Sequence, residues 1–431
     1  MEKQQVSIFW FRRDLRLEDN VALYHALQSK HPVIPIFIFD SDILNSLPEN
    51  DARVGFIFDS LQNINTQLNA IGTSILIKFG TTTAVWESLF KKFTISEVFY
   101  NKDYEPYAIK RDLSIDSLAK ANNALCFPFK DQVIFEELEI VKADGLPYTI
   151  YTPYKNKWLE KYKTMAPLLE YDTQSYFYNF YTSNFVFPTL EQIGFEESDI
   201  KVVPYSLKQI SNYHETRDFP AIDSTSYLSP HLRFGTVSIR KLVNWAVRKN
   251  DVFLSELIWR EFFMQILFSF PKVVSHNFKS AYDGIQWRNN EEDFKRWCTG
   301  TTGYPMVDAG MRQLNETGYM HNRVRMVVAS FLCKHLLINW QWGEAYFAEK
   351  LLDYDLSANV GNWQWAAGTG CDAAPYFRVF NPEIQLKKFD EKGIYIRKWI
   401  LEFDLGYGQP MIEHAFARDR AIATYKAGIL K

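Results

Sequence analysis

Cysteine is scarce. The 431 residues contain four, Cys126, Cys298, Cys333 and Cys371, far apart and without C-x-x-C spacing. That excludes a disulfide framework and a thiolate metal site and leaves free, mostly buried thiols in a reducing compartment. There is no basic excess either: 48 Lys+Arg face 51 Asp+Glu, for a net charge of −3. A general nucleic-acid coat is excluded, although a local basic patch is not. The longest uncharged stretch, Thr173 to Leu190, is filled with Tyr, Asn, Ser and Thr and is no membrane span. No secretory leader precedes the first apolar run, so a cytoplasmic protein without membrane contact is expected. Neither G-x-G-x-x-G nor G-K-[ST] occurs, and the first turn carries "RRDLRLEDN" in their place. No low-complexity tract and no internal repeat is seen.

What is abundant is aromatic. Phe, Trp and Tyr make up 16% of the chain, with twelve Trp. Heavy core packing is the plain explanation; a site that stacks rings or moves electrons is the sharper one. At 47% hydrophobic and 23% charged the chain is globular, and its length suggests two domains or three. "VSIFWF" (6–11), "PVIPIFIFD" (32–40), "TSILIKFG" (73–80) and "EVFYNKD" (97–103) are short β-rich runs. Segments of helical spacing, Asp51 to Ala70 and Glu105 to Lys120, separate them. This alternation predicts an α/β N-terminal domain with a Rossmann-like parallel sheet over residues 1–130. Residues 131–200, broken by Pro147, Pro153, Pro167 and Pro188, read as a connector. From 201 to 431 the recurrence is i, i+3, i+4, which predicts a mostly α-helical domain.

Several clusters in the helical part carry chemistry. In "ELIWREFF", Glu256, Trp259, Arg260 and Phe263 share one helix face. A surface Glu256–Arg260 ion pair would explain them, and so would a polar-aromatic pocket wall. In "HNRVRM", Asn322 and Met326 share a face that Arg325 adjoins, while Arg323 points elsewhere. Buried arginines there need partners, and an Arg325–Asp353 pair would be one. In "STSYLSPHLRFG", Thr225, Ser226 and Ser229 either cap a helix or hold phosphate at its N-terminus. "LLDYDLSANVGNWQWAAGTG" packs Asp353, Asp355, Asn359, Trp363 and Trp365 among small residues. Two acids without a nearby His make a metal site improbable, so none is expected.

Taken in order, "FWFRRDLRLEDN" (9–20), "GYMHNRVRM", "DLSANVGNWQWAAGTGCDAAPYFRVFNP" and "FNPEIQLKKFD" (380–390) resemble the photolyase/cryptochrome family. Within it they are similar to the bacterial class I cyclobutane pyrimidine dimer photolyases. The resemblance runs nearly end to end and implies an antenna-bearing α/β domain, a connector, and a helical FAD domain. It places Tyr213, Thr225, Ser226, Tyr227, Leu228 and Ser229 at the FAD phosphates, with Tyr227 standing where many relatives have Arg. Arg325, Asp353, Tyr354 and Asp355 fall on the flavin region, and Asn359 beside flavin N5. Trp363, Trp340 and Trp287 match a chain of three indoles that passes electrons to the flavin.

The same resemblance puts Glu256, Trp259, Asn322, Met326 and Trp365 around a flipped-out thymine dimer, because a flavin cannot reach a lesion inside the stack. Arg217, Arg260, Arg323 and Arg378 become DNA or pocket contacts. The implied activity is light-driven: excited reduced FAD gives an electron to the dimer, the cyclobutane splits, and the electron returns. Relatives acting on (6-4) photoproducts carry His at both positions matched by Asn322 and Met326; the single-strand-preferring DASH group has Gln at Met326. Neither substitution is present, so dimer repair in DNA is expected, by a monomer. A blue-light cryptochrome without repair is the alternative, and a flavin redox enzyme that uses its Trp only for packing is a third. A second, antenna chromophore (folate, deazaflavin or FMN) is expected, with Glu105 as its one candidate contact. A helix N-terminal acid is the plain reading of that residue.

Overall fold

The computed structural model describes residues 4–429. They form two compact units built from interleaved segments. Of the described residues, the first comprises 4–139, 160–205 and 227–248; the second comprises 140–159, 206–226 and 249–429.

The first unit is organised on a parallel sheet. Its elements are β1 (Gln5–Phe11), α1 (Val21–Leu27), β2 (Val33–Asp40), α2 (Ala52–Asn69), β3 (Leu76–Gly80), α3 (Thr82–Lys92), β4 (Thr94–Asn101), α4 (Pro106–Ala121) and β5 (Leu125–Phe129). The strand order is β3-β2-β1-β4-β5, the order expected when successive βα units are laid to both sides of a central strand. Alternation decides the faces: Phe9 and Phe11 enter one core with Phe37 and Phe39, whereas Ile8 and Trp10 enter the opposite one with Ile36 and Ile38. Asp51 caps α2 by accepting from the Arg53 amide.

Four strands coincide with the four apolar runs. β5 lay outside them: its sequence, LCFPF, contains a proline, and Leu125 is 58% exposed. It is an edge strand, where a missing N–H costs no ladder bond.

The second unit is helical. It contains α5 (Tyr151–Met165, of which residues 151–159 belong here), α6 (Asp251–Ser269), α7 (Pro305–Thr317), α8 (Asn322–Ser330), α9 (Trp340–Lys350), α10 (Leu356–Ala367) and α11 (His414–Gly428). Its core gathers Val324, Val328, Phe331, Leu332, Phe347 and Trp363. Two glycines set the close approaches. A Cβ on Gly343 of α9 would lie 2.1 Å from the Trp363 ring, and one on Gly361 of α10 would lie 2.2 Å from Phe263 of α6. Both glycines therefore admit neighbouring side chains. No helix among the described residues is long and apolar enough to cross a membrane.

Candidate functional site

The site is built on α6, α8 and α10 of the second unit. α10 begins at Asp355, whose carboxylate caps the helix by accepting from the Ala358 amide at 3.2 Å and from the Ser357 hydroxyl. One turn on, Asn359 is buried. Its amide nitrogen donates to the Glu344 carbonyl at 3.0 Å and to Glu344 Oε1 at 2.9 Å. Both N–H groups are thus committed, which leaves Asn359 Oδ1 to accept. Burial raises the Glu344 carboxyl, while the Asn359 bond opposes that rise.

Two residues before the cap, Asp353 meets Arg325 of α8 end on. The contacts are 3.2 Å from Nη1 and 2.9 Å from Nη2. Arg325 Nε also donates to the Met320 carbonyl at 2.7 Å. This is the bidentate arrangement that fixes both partners in one plane. His321 caps α8 through Nδ1, accepting from the Arg323 amide at 3.2 Å. Burial, helped by the surrounding arginines, pushes its imidazole down to about 4 against the pull of Asp218. It is neutral at physiological pH.

The other wall comes from α6. Glu256 accepts from Arg217 Nη1 at 2.6 Å, and the Arg217 guanidinium lies 5.3 Å from the Tyr213 ring centre. Glu256 is therefore in an ion pair, but with Arg217. Trp259 and Arg260 are half-buried on the same helix. α6 packs directly on α10, with Phe263 against Gly361, and the segment after α6 is tied to α10 by Gln364, which donates to the Val273 and His276 carbonyls at 2.9 and 3.0 Å. The helix carrying Glu256 and Trp259 thus touches the helix carrying Asn359, Trp363 and Trp365.

The remaining candidates are placed as follows. Trp363 and Trp340 are buried and Trp287 is half-exposed, all in or against one core. Trp363 packs edge-on to Phe347 at 4.9 Å and to Trp297 at 6.1 Å. Trp340 donates to Asn277 at 2.9 Å, and Trp287 lies edge-on to Tyr425 at 5.7 Å. Trp365 and Met326 are half-buried and Asn322 is exposed. Arg323 is held by Asp218 at 2.8 Å and lies over Phe389 at 4.3 Å. Arg378 is exposed, beside Phe380. Tyr354 packs against the core, Thr225 hydrogen-bonds Tyr319, and the Ser226 carbonyl accepts from the Ser206 amide at 2.9 Å.

Tyr227, Leu228 and Ser229 belong to the first unit. Tyr227 is left-handed, with φ 52°. The short helix Ser229–Phe234 has Leu228 at its N-cap and no side-chain cap bond, so the capping reading of these hydroxyls is not what the fold does. Glu105, at the start of α4, accepts from Arg13 and from Arg233, each at 2.8 Å, and does not cap its helix.

Sequence reasoning missed Glu344, Asn277 and Lys334. Lys334 lies in a π-helical turn, Phe331–His335. Its ammonium donates to the Ala367 carbonyl at 2.7 Å and the Tyr376 carbonyl at 3.2 Å, and sits 3.6 Å from the Tyr425 ring centre. Burial lowers it to about 7, against about 10.4 in an unfolded chain. Between those values the unfolded chain binds the extra proton, so this group makes stability rise with pH from about 7 to about 10. The denaturation midpoint of wild type relative to Lys334→Met should therefore increase between pH 7 and pH 9, as read by parallel urea titrations.

An α/β unit with a C-terminal helical unit, whose packed helices pair a carboxylate–arginine–amide cluster with a tryptophan-rich wall, defines a photolyase/cryptochrome-type flavoprotein. The comparisons agree. The family described as "DNA photolyase" matches residues 7–171, and that described as "FAD binding domain of DNA photolyase" matches residues 253–405. The deoxyribodipyrimidine photo-lyase of Agrobacterium fabrum is 34% identical over 97% of this chain and 97% of its own. A bacterial class III photolyase structure from Agrobacterium tumefaciens superposes with TM-score 0.86 at 31% identity, covering 99% of this chain and 98% of that one. An archaeal photolyase structure from Sulfolobus tokodaii gives TM-score 0.81 at 32% identity, over 98% and 99%. The chain belongs to the DNA photolyase family. Because a class III enzyme structure is among those the chain resembles, the likeness fixes the family and does not single out class I.

Proposed function

We propose that the protein repairs cyclobutane pyrimidine dimers in DNA in a light-driven reaction that uses FAD. The direct packing of α6 on α10 carries this reading, since it joins the residues matched to the lesion with those matched to the flavin. Two observations support FAD. Asn359 keeps only its carbonyl oxygen free, so a flavin bearing a proton on N5 finds an acceptor there. The Ser224 hydroxyl, next to Thr225, is buried without a partner among the described residues, which suits a polar ligand along that run. Reduced FAD, when bound, supplies the excited electron that opens the cyclobutane ring.

The chain's own residues do the rest. Arg325 and Asp353 hold the loop before α10, Asp355 fixes the helix start, and Glu344 orients the Asn359 amide. Trp259 and Trp365 present indole surface to the fused bases, and Glu256, kept in place by Arg217, offers its carboxylate to their edges. Asn322 and Met326, neither a proton-donating His, support dimers as the lesion rather than (6-4) photoproducts. Arg260, Arg323 and Arg378 supply positive charge for DNA phosphates. Trp287, Trp340 and Trp363 run from half-exposed to buried, as an electron relay requires.

For an antenna, the resemblance is the support; the Sulfolobus relative is described as holding two FAD molecules, with the implication of a novel light-harvesting cofactor. Glu105 is committed to Arg13 and Arg233, so we assign it an ion-pair role and place any antenna contact elsewhere in the first unit. An absorption spectrum of purified protein tests for the second chromophore.

Repair is tested by incubating reduced protein with dimer-bearing DNA in light and in darkness. Loss of dimers only in light is the expected result, and no loss with fully reduced FAD sinks the reading. Glu256→Gln should lower repair yield roughly ten-fold with the flavin absorbance intact. Lost flavin instead would reassign the residue to the cofactor.

A further inference from the structure

Tyr151, on the first turn of α5, has no part in the reading so far. Its ring lies parallel to that of Trp259, with centroids 3.6 Å apart and planes 9° apart. Phe262 stands edge-on to both, at 5.8 and 5.5 Å. The Tyr151 hydroxyl donates to the Ser255 carbonyl at 2.7 Å and lies 2.6 Å from Ser255 Oγ. Its backbone N–H donates to Asp372 at 3.1 Å, a residue with φ 46° in the loop that follows α10. Tyr151 is therefore tied to the helix of Trp259 and to the segment after the helix of Trp365. Tyr151 itself is buried, at 7% exposure.

A half-exposed indole on a helix samples several rotamers, and fixing one on binding costs affinity. Here a pinned phenol covers one indole face, and Phe263 stacks beside the ring at 5.4 Å with planes 28° apart, so the part of the indole that is still exposed is already oriented for an incoming ring. Two further contacts keep that helix turn in place: Tyr154 and Trp158, on the same face of α5, donate to the buried Glu261 of α6 at 3.3 and 2.7 Å.

We propose that Tyr151 is a positioning residue for the fused-pyrimidine substrate, holding the Trp259 indole in its receiving orientation. This rests on Trp259 being a wall of the lesion site.

The test measures dark binding of the FAD-loaded protein to a dimer-bearing oligonucleotide and to its undamaged counterpart. Tyr151→Leu should weaken dimer binding roughly five- to ten-fold, leaving undamaged-DNA affinity and FAD content unchanged. Tyr151→Phe, which keeps the ring, should restore it to within about two-fold. The double variant Tyr151→Leu, Trp259→Leu should bind no worse than Trp259→Leu alone. If Trp259→Leu itself keeps full dimer affinity, the lesion-wall reading fails. If it loses affinity while Tyr151→Leu does not, or if the double variant is additively worse, only the role of Tyr151 is overturned. If Tyr151→Leu loses flavin or weakens both DNAs equally, and Phe does not rescue it, the residue is structural and the proposal is wrong. Should the leucine variant not fold, the phenylalanine variant decides through Trp259: equal dimer affinity supports the ring's role, and a loss as large as that of Trp259→Leu overturns it.

Discussion

Trp363→Phe should all but remove light-driven reduction of the bound, oxidised flavin, yet leave dimer repair by chemically reduced protein at its wild-type level. Trp365→Ala, two residues away, should do the opposite: photoreduction persists, while dimer affinity falls by about ten- to a hundred-fold, as expected from losing one base-stacking indole. The structure explains why neighbours can differ so much. Trp363 is 2% exposed in the helical core, against Phe347 and Trp297. Trp365 is half-buried and packs only at the edge of that core. Steady-state absorbance under blue light measures the first effect and dark titration with damaged oligonucleotide the second. Equal losses in both assays for either variant would refute the division.

The second large effect concerns Arg325. Arg325→Ala should destabilise the helical unit by about 3 kcal/mol, because it strips a largely buried Asp353 of its paired donors and frees the Met320 carbonyl. Bound FAD should be lost with it, since Asp353 and Asp355 flank the same helix start. Arg325→Lys should rescue little, as an ammonium cannot make the two parallel bonds. Denaturant unfolding and the flavin-to-protein absorbance ratio check both statements. Full flavin occupancy in Arg325→Ala would remove Asp353 from the cofactor site.

The sequence revealed those features that are local. Strands β1 to β4 follow from runs of Val, Ile and Phe, and α2 and α4 from their periodicity, because burial on both sheet faces leaves that mark. β5 escaped because an edge strand needs neither dense apolar residues nor all its N–H groups. The family motifs pointed to the residues we propose for the flavin and lesion walls, including Asp355, which caps α10. The partners of those residues were not legible. Glu344 under Asn359 comes from the preceding helix, and Arg217 on Glu256 and Tyr151 on Trp259 come from segments distant in sequence, with no helical spacing to betray any of them. The Glu256–Arg260 pairing suggested by helical spacing was a local guess, and Arg217 holds Glu256 from a separate segment.

The way the two units are threaded carries a practical consequence. Each is assembled from three stretches of chain, so no single backbone cut separates them into whole pieces. A fragment beginning at residue 160 would contain every helix from α6 onward and still lack residues 140–159. It would leave Glu261, 3% exposed, without the Trp158 and Tyr154 donors, and would bare the Trp259 face that Tyr151 covers. A twenty-residue peptide spanning 140–159, supplied in trans, is the missing part of that fold, and the helical unit is better regarded as a split protein than as a C-terminal domain.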